Sequence, residues 1–140
     1  MEFKDVLAMY FERGVALQTF WNFYITIALG YLAFLGVLTP LPVNKRAAVL
    51  LTCGFVVFAA ANLGGLIGVT KQRLELQSLL TAEPKNLSQY PSDLANIRQT
   101  LDAPTVDGVI GVHVAGDALL LVCIWFIPAM RRSEKTRHTE

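Results

Sequence analysis

Residues 106–130, VDGVIGVHVAGDALLLVCIWFIPAM, constrain this chain more than any other stretch. They are apolar over a length that crosses a bilayer, yet His113 and Asp117 lie well inside them. The two stand one helical turn apart, so their side chains leave a helix on the same side. An acid near mid-membrane is costly and turns toward protein, a ligand or water. The stretch therefore predicts a membrane-spanning helix and a buried polar site together.

Two further apolar runs, 15–38 and 47–70, have the same span-forming length. The first is too long for a cleaved leader, follows a segment that is acidic as well as basic, and has no small-x-small cleavage pattern before Pro40. It reads as a retained helix. Trp21 and Tyr24 suit a position near one interface, and Asn22 and Thr26 share a face. Charged residues make up 16% of the 140 residues, against about a quarter in soluble domains. The expected architecture is all-α: a single three-helix transmembrane domain over 1–140. The net charge of +1 and the lack of a basic stripe with interleaved aromatics argue against nucleic acid as a partner.

Before the first span, Phe3, Val6, Leu7, Tyr10 and Phe11 recur at helical spacing. Residues 1–14 read as an amphipathic helix on the membrane surface or against a partner subunit, or as an extension of the first span. Between spans one and two, residues 39–46 (TPLPVNKR) form a tight turn. Pro40 and Pro42 end the helix there, and Lys45 and Arg46 mark the water side. The second helix has no breaker after residue 70 and can continue through KQRLELQSLL. Residues 71–105 form a partly helical extramembrane loop, with a short helix in SDLANIRQTLDA capped by Ser92 or Asp93. The third span ends at Pro128, and residues 131–140, which include His138, form a basic tail with a disordered tip.

Three spans put the 39–46 turn and the C-terminus on one side. Lysine and arginine tie at six on each side, but the turn and tail hold theirs in two short segments. Short dense segments weigh most in setting orientation. The C-terminus is therefore expected in the cytoplasm, with the protein multi-pass in the inner (plasma) membrane.

Counting inward from the N-terminal side, Asn22 lies about seven residues deep, Asn62 about eight, His113 about five or six, and Asp117 about nine or ten. Three helices thus set a polar group at similar depth. Gly64, Gly65, Gly68, Gly108, Gly111 and Gly116 share that half of the membrane, with Gly64 and Gly68 in the GxxxG spacing that lets helices approach closely.

Several functions use these residues. In the plainest, the polar layer is glue within the bundle or a homo-oligomer, because any polar group in lipid needs a partner. In another, Asp117 and His113 pass a proton or cation. A carboxylate and an imidazole can exchange a proton, but three helices require oligomerisation to enclose a path. His113 could also ligate haem or border a quinone, although a lone histidine supplies one axial ligand. A lytic pore of the holin kind is compatible with three spans and a basic cytoplasmic tail, but the long 71–105 loop and the proline-rich hairpin do not point to it. Asn62 is a poor transition-metal ligand, which weakens a metal site. Cys53 and Cys123 sit in apolar runs without ligand spacing and read as core residues.

No GxSxG, HExxH, P-loop or dinucleotide fingerprint appears. The likeness to other three-span proteins is generic. The expectation is a small non-enzymatic accessory or structural subunit, without a cofactor. It would pack against itself or a larger membrane complex through its glycine faces. An oligomeric conductor or pore using Asp117 and His113 is the alternative, and a haem- or quinone-binding subunit is a lesser one.

Overall fold

The computed structural model describes residues 3–38, 45–82 and 101–137, and in the last of these, side chains as far as Ile127. Among the described residues, all but 101–105 are helical. Helix α1 (Phe3–Ala33) runs into a π-helical turn, Phe34–Leu38; α2 is Lys45–Ala82 and α3 is Val106–Arg137. At 31, 38 and 32 residues, the three reach roughly 45 to 57 Å at 1.5 Å per residue. All three are long and apolar enough to cross a membrane.

Three boundaries differ from the sequence expectation or narrow it. Residues 3–14 form no helix of their own; they are the first turns of α1. Nothing there stops a helix, since Gly14 costs only about 1 kcal/mol relative to alanine. Helix α2 continues past residue 70 to Ala82, so the first third of the 71–105 loop is helical. Helix α3 does not end at Pro128 but continues to Arg137. Proline there forfeits one backbone hydrogen bond, and the following RRSEKTR is rich in residues that favour helix. The centre of the 39–46 turn, with Pro40 and Pro42, most of the 92–103 segment, and His138 lie outside the described residues.

The chain divides into two compact units, Met1–Trp21 with Gly64–Ile110, and Asn22–Leu63 with Gly111–Glu140. In the first, Val6, Tyr10, Leu76, Leu80 and Leu101 form a buried cluster, with Phe3 and Leu7 packed against it. Tyr10 is wholly buried, so its hydroxyl needs an acceptor; it donates to the Leu101 carbonyl at 2.6 Å. The Arg73 guanidinium lies over the Tyr10 ring, 4.5 Å from its centroid. The guanidinium also lies beside Gly14, where a Cβ would be in ordinary contact, 3.5 Å from its carbon. A second cluster joins Leu17, Leu66 and Val109, flanked by Phe20, Trp21 and Val69. Helix α3 begins where Thr105 accepts the Gly108 N–H on Oγ1 at 3.1 Å, an N-cap, with Asp107 in the first turn facing the positive end of the helix dipole.

The second unit buries Leu35, Ala48, Phe55, Ala59, Leu120 and Ile124. Aromatic rings bind its helices together. Tyr31 meets Phe55 edge-on at 5.6 Å, Phe55 lies 6.4 Å from Phe58, and Phe58 meets Phe23 edge-on at 5.5 Å. The outward positions are apolar too: Ile25, Leu29, Leu50, Val57, Leu119 and Phe126 are exposed. So much exposed aliphatic and aromatic surface suits lipid or another protein and not water.

Candidate functional site

The second unit holds a chain of four polar side chains, one from α1, one from α2 and two from α3. The Tyr24 hydroxyl donates to Asp117 Oδ1 at 2.9 Å. The other oxygen, Asp117 Oδ2, lies 2.9 Å from His113 Nδ1. Across the imidazole, Nε2 lies 3.2 Å from Asn62 Oδ1. His113 is entirely buried and Asn62 nearly so, while the Asp117 side chain keeps 19% of its surface exposed. The i, i+4 spacing of His113 and Asp117 brings imidazole and carboxylate together on one face, as helical geometry requires.

Rings and a glycine fix the Tyr24 end. The Tyr24 ring tilts over the imidazole with centroids 4.3 Å apart, and on the α2 side it lies parallel to Phe58 at 6.5 Å. Its hydroxyl sits against Gly116, where a Cβ would stand only 2.7 Å from the oxygen. That separation is far inside van der Waals contact, so the tyrosine reaches Asp117 only because residue 116 has no side chain.

Asn62, His113 and Asp117 therefore come together, and Asn22 does not join them. Asn22 is exposed on α1, and its backbone carbonyl accepts a hydrogen bond from Thr26 Oγ1 at 2.8 Å. Tyr24, two residues on, takes the place that depth alone would give Asn22. Two residues turn a helix by about 200°, so the two side chains face nearly opposite ways.

The glycines also divide. Gly65 receives the Phe20 ring, with a Cβ position 2.5 Å from a ring carbon, and Gly116 receives Tyr24. Gly108 meets its own cap, Thr105 Oγ1. Among the described residues, nothing lies within 4 Å of a Cβ position at Gly64, Gly68 or Gly111. The GxxxG pair is thus open along one face of α2.

The residues present do not fit haem. Both imidazole nitrogens of His113 already face oxygens, and the Tyr24 ring lies against the imidazole. Ligation would require His113 to give up Asn62 or Asp117. Among the described residues, no group of three or more histidine, cysteine or carboxylate side chains stands ready for a metal ion. Cys53 and Cys123 are free thiols. Chemically, the arrangement can hold and share protons along Tyr24–Asp117–His113–Asn62 and tie three helices together. The chain matches no protein-family model, no curated protein and no solved structure.

Proposed function

We infer that this chain is a small, non-enzymatic, multi-pass membrane protein, in which α1, α2 and α3 each span the inner (plasma) membrane with the C-terminus in the cytoplasm. It serves as a structural or accessory subunit. The observation that carries this reading is the engagement of His113: one imidazole joins Asn62 of α2 to Asp117 of α3, which in turn holds Tyr24 of α1. A polar chain that uses its acceptors on neighbouring helices acts as a clamp. In lipid such interhelical hydrogen bonds are worth about 0.6 to 2 kcal/mol each. The partner is a second copy or a larger membrane complex, docked on the open Gly64–Gly68 face.

Mild-detergent extraction from native membranes tests the reading. The expected result is a particle larger than the monomer that falls to monomer size in Gly64→Ile/Gly68→Ile. A monomer in native membranes would sink it. The exposure of Asp117 favours one second reading, an oligomer that passes protons through Asp117 and His113. Asp117→Asn separates the two: the clamp keeps assembly and the host complex's activity, whereas a conductor keeps assembly and loses proton flux.

A further inference from the structure

We propose that a cleft between the N-terminal end of α1 and the C-terminal end of α2 binds the headgroup of a zwitterionic phospholipid with a primary ammonium, of the phosphatidylethanolamine class. Arg13 takes the phosphate, and Glu75 with Gln72 takes the ammonium. This inference rests on the membrane-spanning reading of α1 and α2 and is independent of the polar chain around His113. Met9, Arg13, Gln72, Glu75, Leu76 and Leu79 line the cleft, which has a volume of about 330 Å³. All six belong to the first compact unit. Leu76 is buried, whereas Met9 and Leu79 expose apolar surface that suits the carbon skeleton of an amphiphile.

Depth points to a lipid. With the apolar runs 15–38 and 47–70 filling the hydrocarbon core, Arg13 lies two residues outside it and Glu75 five. At 1.5 Å per residue these are about 3 Å and about 7.5 Å, within a headgroup layer about 5 to 7.5 Å deep on each side. The cation is thus nearer the core than the anion. A phospholipid sets its phosphate nearer the core and its ammonium further out, so the order of charges matches. Charge then selects the headgroup. Among the described residues Arg13 pairs with its neighbour Glu12 at 3.5 Å, a weak contact for a guanidinium with five donors. Glu75 is exposed, and its carboxylate has no ion-pair partner among the described residues. One cation and one anion line the cleft, which suits a headgroup that carries both charges. A net-anionic headgroup would leave Glu75 unpaired with a second negative charge beside it. A quaternary ammonium has no N–H for Glu75 or the Gln72 amide oxygen, and it favours aromatic faces, of which the six lining residues supply none.

Native mass spectrometry of the full chain in mild detergent tests this, with phosphatidylethanolamine, phosphatidylcholine or phosphatidylglycerol of the same acyl chains added. The ethanolamine lipid should bind about tenfold more tightly than either of the others, the worth of one charge-assisted hydrogen bond. Glu75→Gln should abolish that preference and bring phosphatidylglycerol up to the same affinity, while Arg13→Gln weakens the binding of all three. Glutamine favours helix about as well as arginine and glutamate do, so the helical circular dichroism of both variants should match that of the parent. Equal affinity of the parent for the three lipids, or an unchanged preference in Glu75→Gln, would overturn the proposal. Equally tight binding of glycerophosphoethanolamine, which has the headgroup and no acyl chains, would overturn it too, because the occupant would then be a soluble molecule. The membrane-spanning reading fails separately, if alkaline carbonate releases the chain from native membranes whatever lipid it holds.

Discussion

Replacing Gly116 by alanine probes the fit between α1 and α3 at one atom. The new Cβ would stand 2.7 Å from the Tyr24 hydroxyl oxygen, so the ring must withdraw by about half an ångström or more to reach ordinary contact. Tyr24 lies between the imidazole and Phe58, and its bond to Asp117 is already 2.9 Å long. Withdrawal stretches that bond past useful length. A hydrogen bond to a charged or charge-sharing group contributes about 1.5 to 3 kcal/mol in water-soluble proteins and about 0.6 to 2 between membrane helices, so the expected loss is about 1 to 2 kcal/mol. Alanine also favours helix over glycine by about 1 kcal/mol, which would mask much of that loss in the single variant.

A double-mutant cycle with Tyr24→Phe cancels the helix term. Without the hydroxyl, the nearest ring atoms are 3.6 Å from the Cβ position, which is ordinary contact. Gly116→Ala should then be neutral to slightly stabilising in the Tyr24→Phe background and neutral to destabilising with tyrosine present, a coupling of about 1 to 2 kcal/mol. Equilibrium unfolding in mixed SDS micelles, followed by helical circular dichroism, reads the four free energies. A coupling within about 0.5 kcal/mol of zero would refute the claim that Gly116 makes room for the Tyr24–Asp117 bond.

Other positions make comparable tests. Gly65→Ala should cost about 1 to 3 kcal/mol, because its Cβ would overlap the Phe20 ring at 2.5 Å, while Gly64→Ala and Gly68→Ala, facing open space in a helix, should leave monomer unfolding unchanged or stabilise it by up to about 1 kcal/mol. Tyr10→Phe keeps the ring under Arg73 but removes the donor to Leu101. A loss of about 1 kcal/mol is expected, with faster amide exchange in residues 101–105, and unchanged exchange would count against the anchor. Thr105→Ala removes the α3 cap at a cost of about 0.5 to 2 kcal/mol, and Thr105→Ser should restore it in the same unfolding assay.

The helices and three of the four chain members were legible in the sequence, because length, apolarity and depth along a span are one-dimensional properties. Direction around the helix was harder to read. In an almost wholly apolar segment the usual contrast between wet and dry faces disappears, so depth made Asn22 look equivalent to Tyr24. A different signal was present. Phe3, Tyr10, Leu17, Tyr24 and Tyr31 recur every seven residues on α1, and Tyr10, Leu17 and Tyr24 are all buried. On α2 the same interval runs through Ala48, Phe55, Asn62, Val69 and Leu76, all buried but the half-buried Val69. A seven-residue recurrence marks the face one helix turns to another even where both faces are greasy. It selects Tyr24 and rejects Asn22. Which glycines receive a ring could not be read this way, since that depends on where aromatics of a different helix come to rest.

The order of synthesis gives the polar chain a further meaning. Tyr24 and Asn62 lie on α1 and α2, which leave the ribosome before α3, and their partners, Asp117 and His113, lie on α3. On the membrane reading, a nascent chain that has delivered only α1 and α2 holds two halves of a lock without the key. A third helix carrying an aspartate enters lipid at a penalty of about 2.5 to 3.5 kcal/mol unless it finds them. Insertion of α3 and closure of the bundle are thereby made one event. A truncated chain, or one whose third helix inserts the wrong way round, loses the Tyr24–Asp117 and Asn62–His113 bonds together.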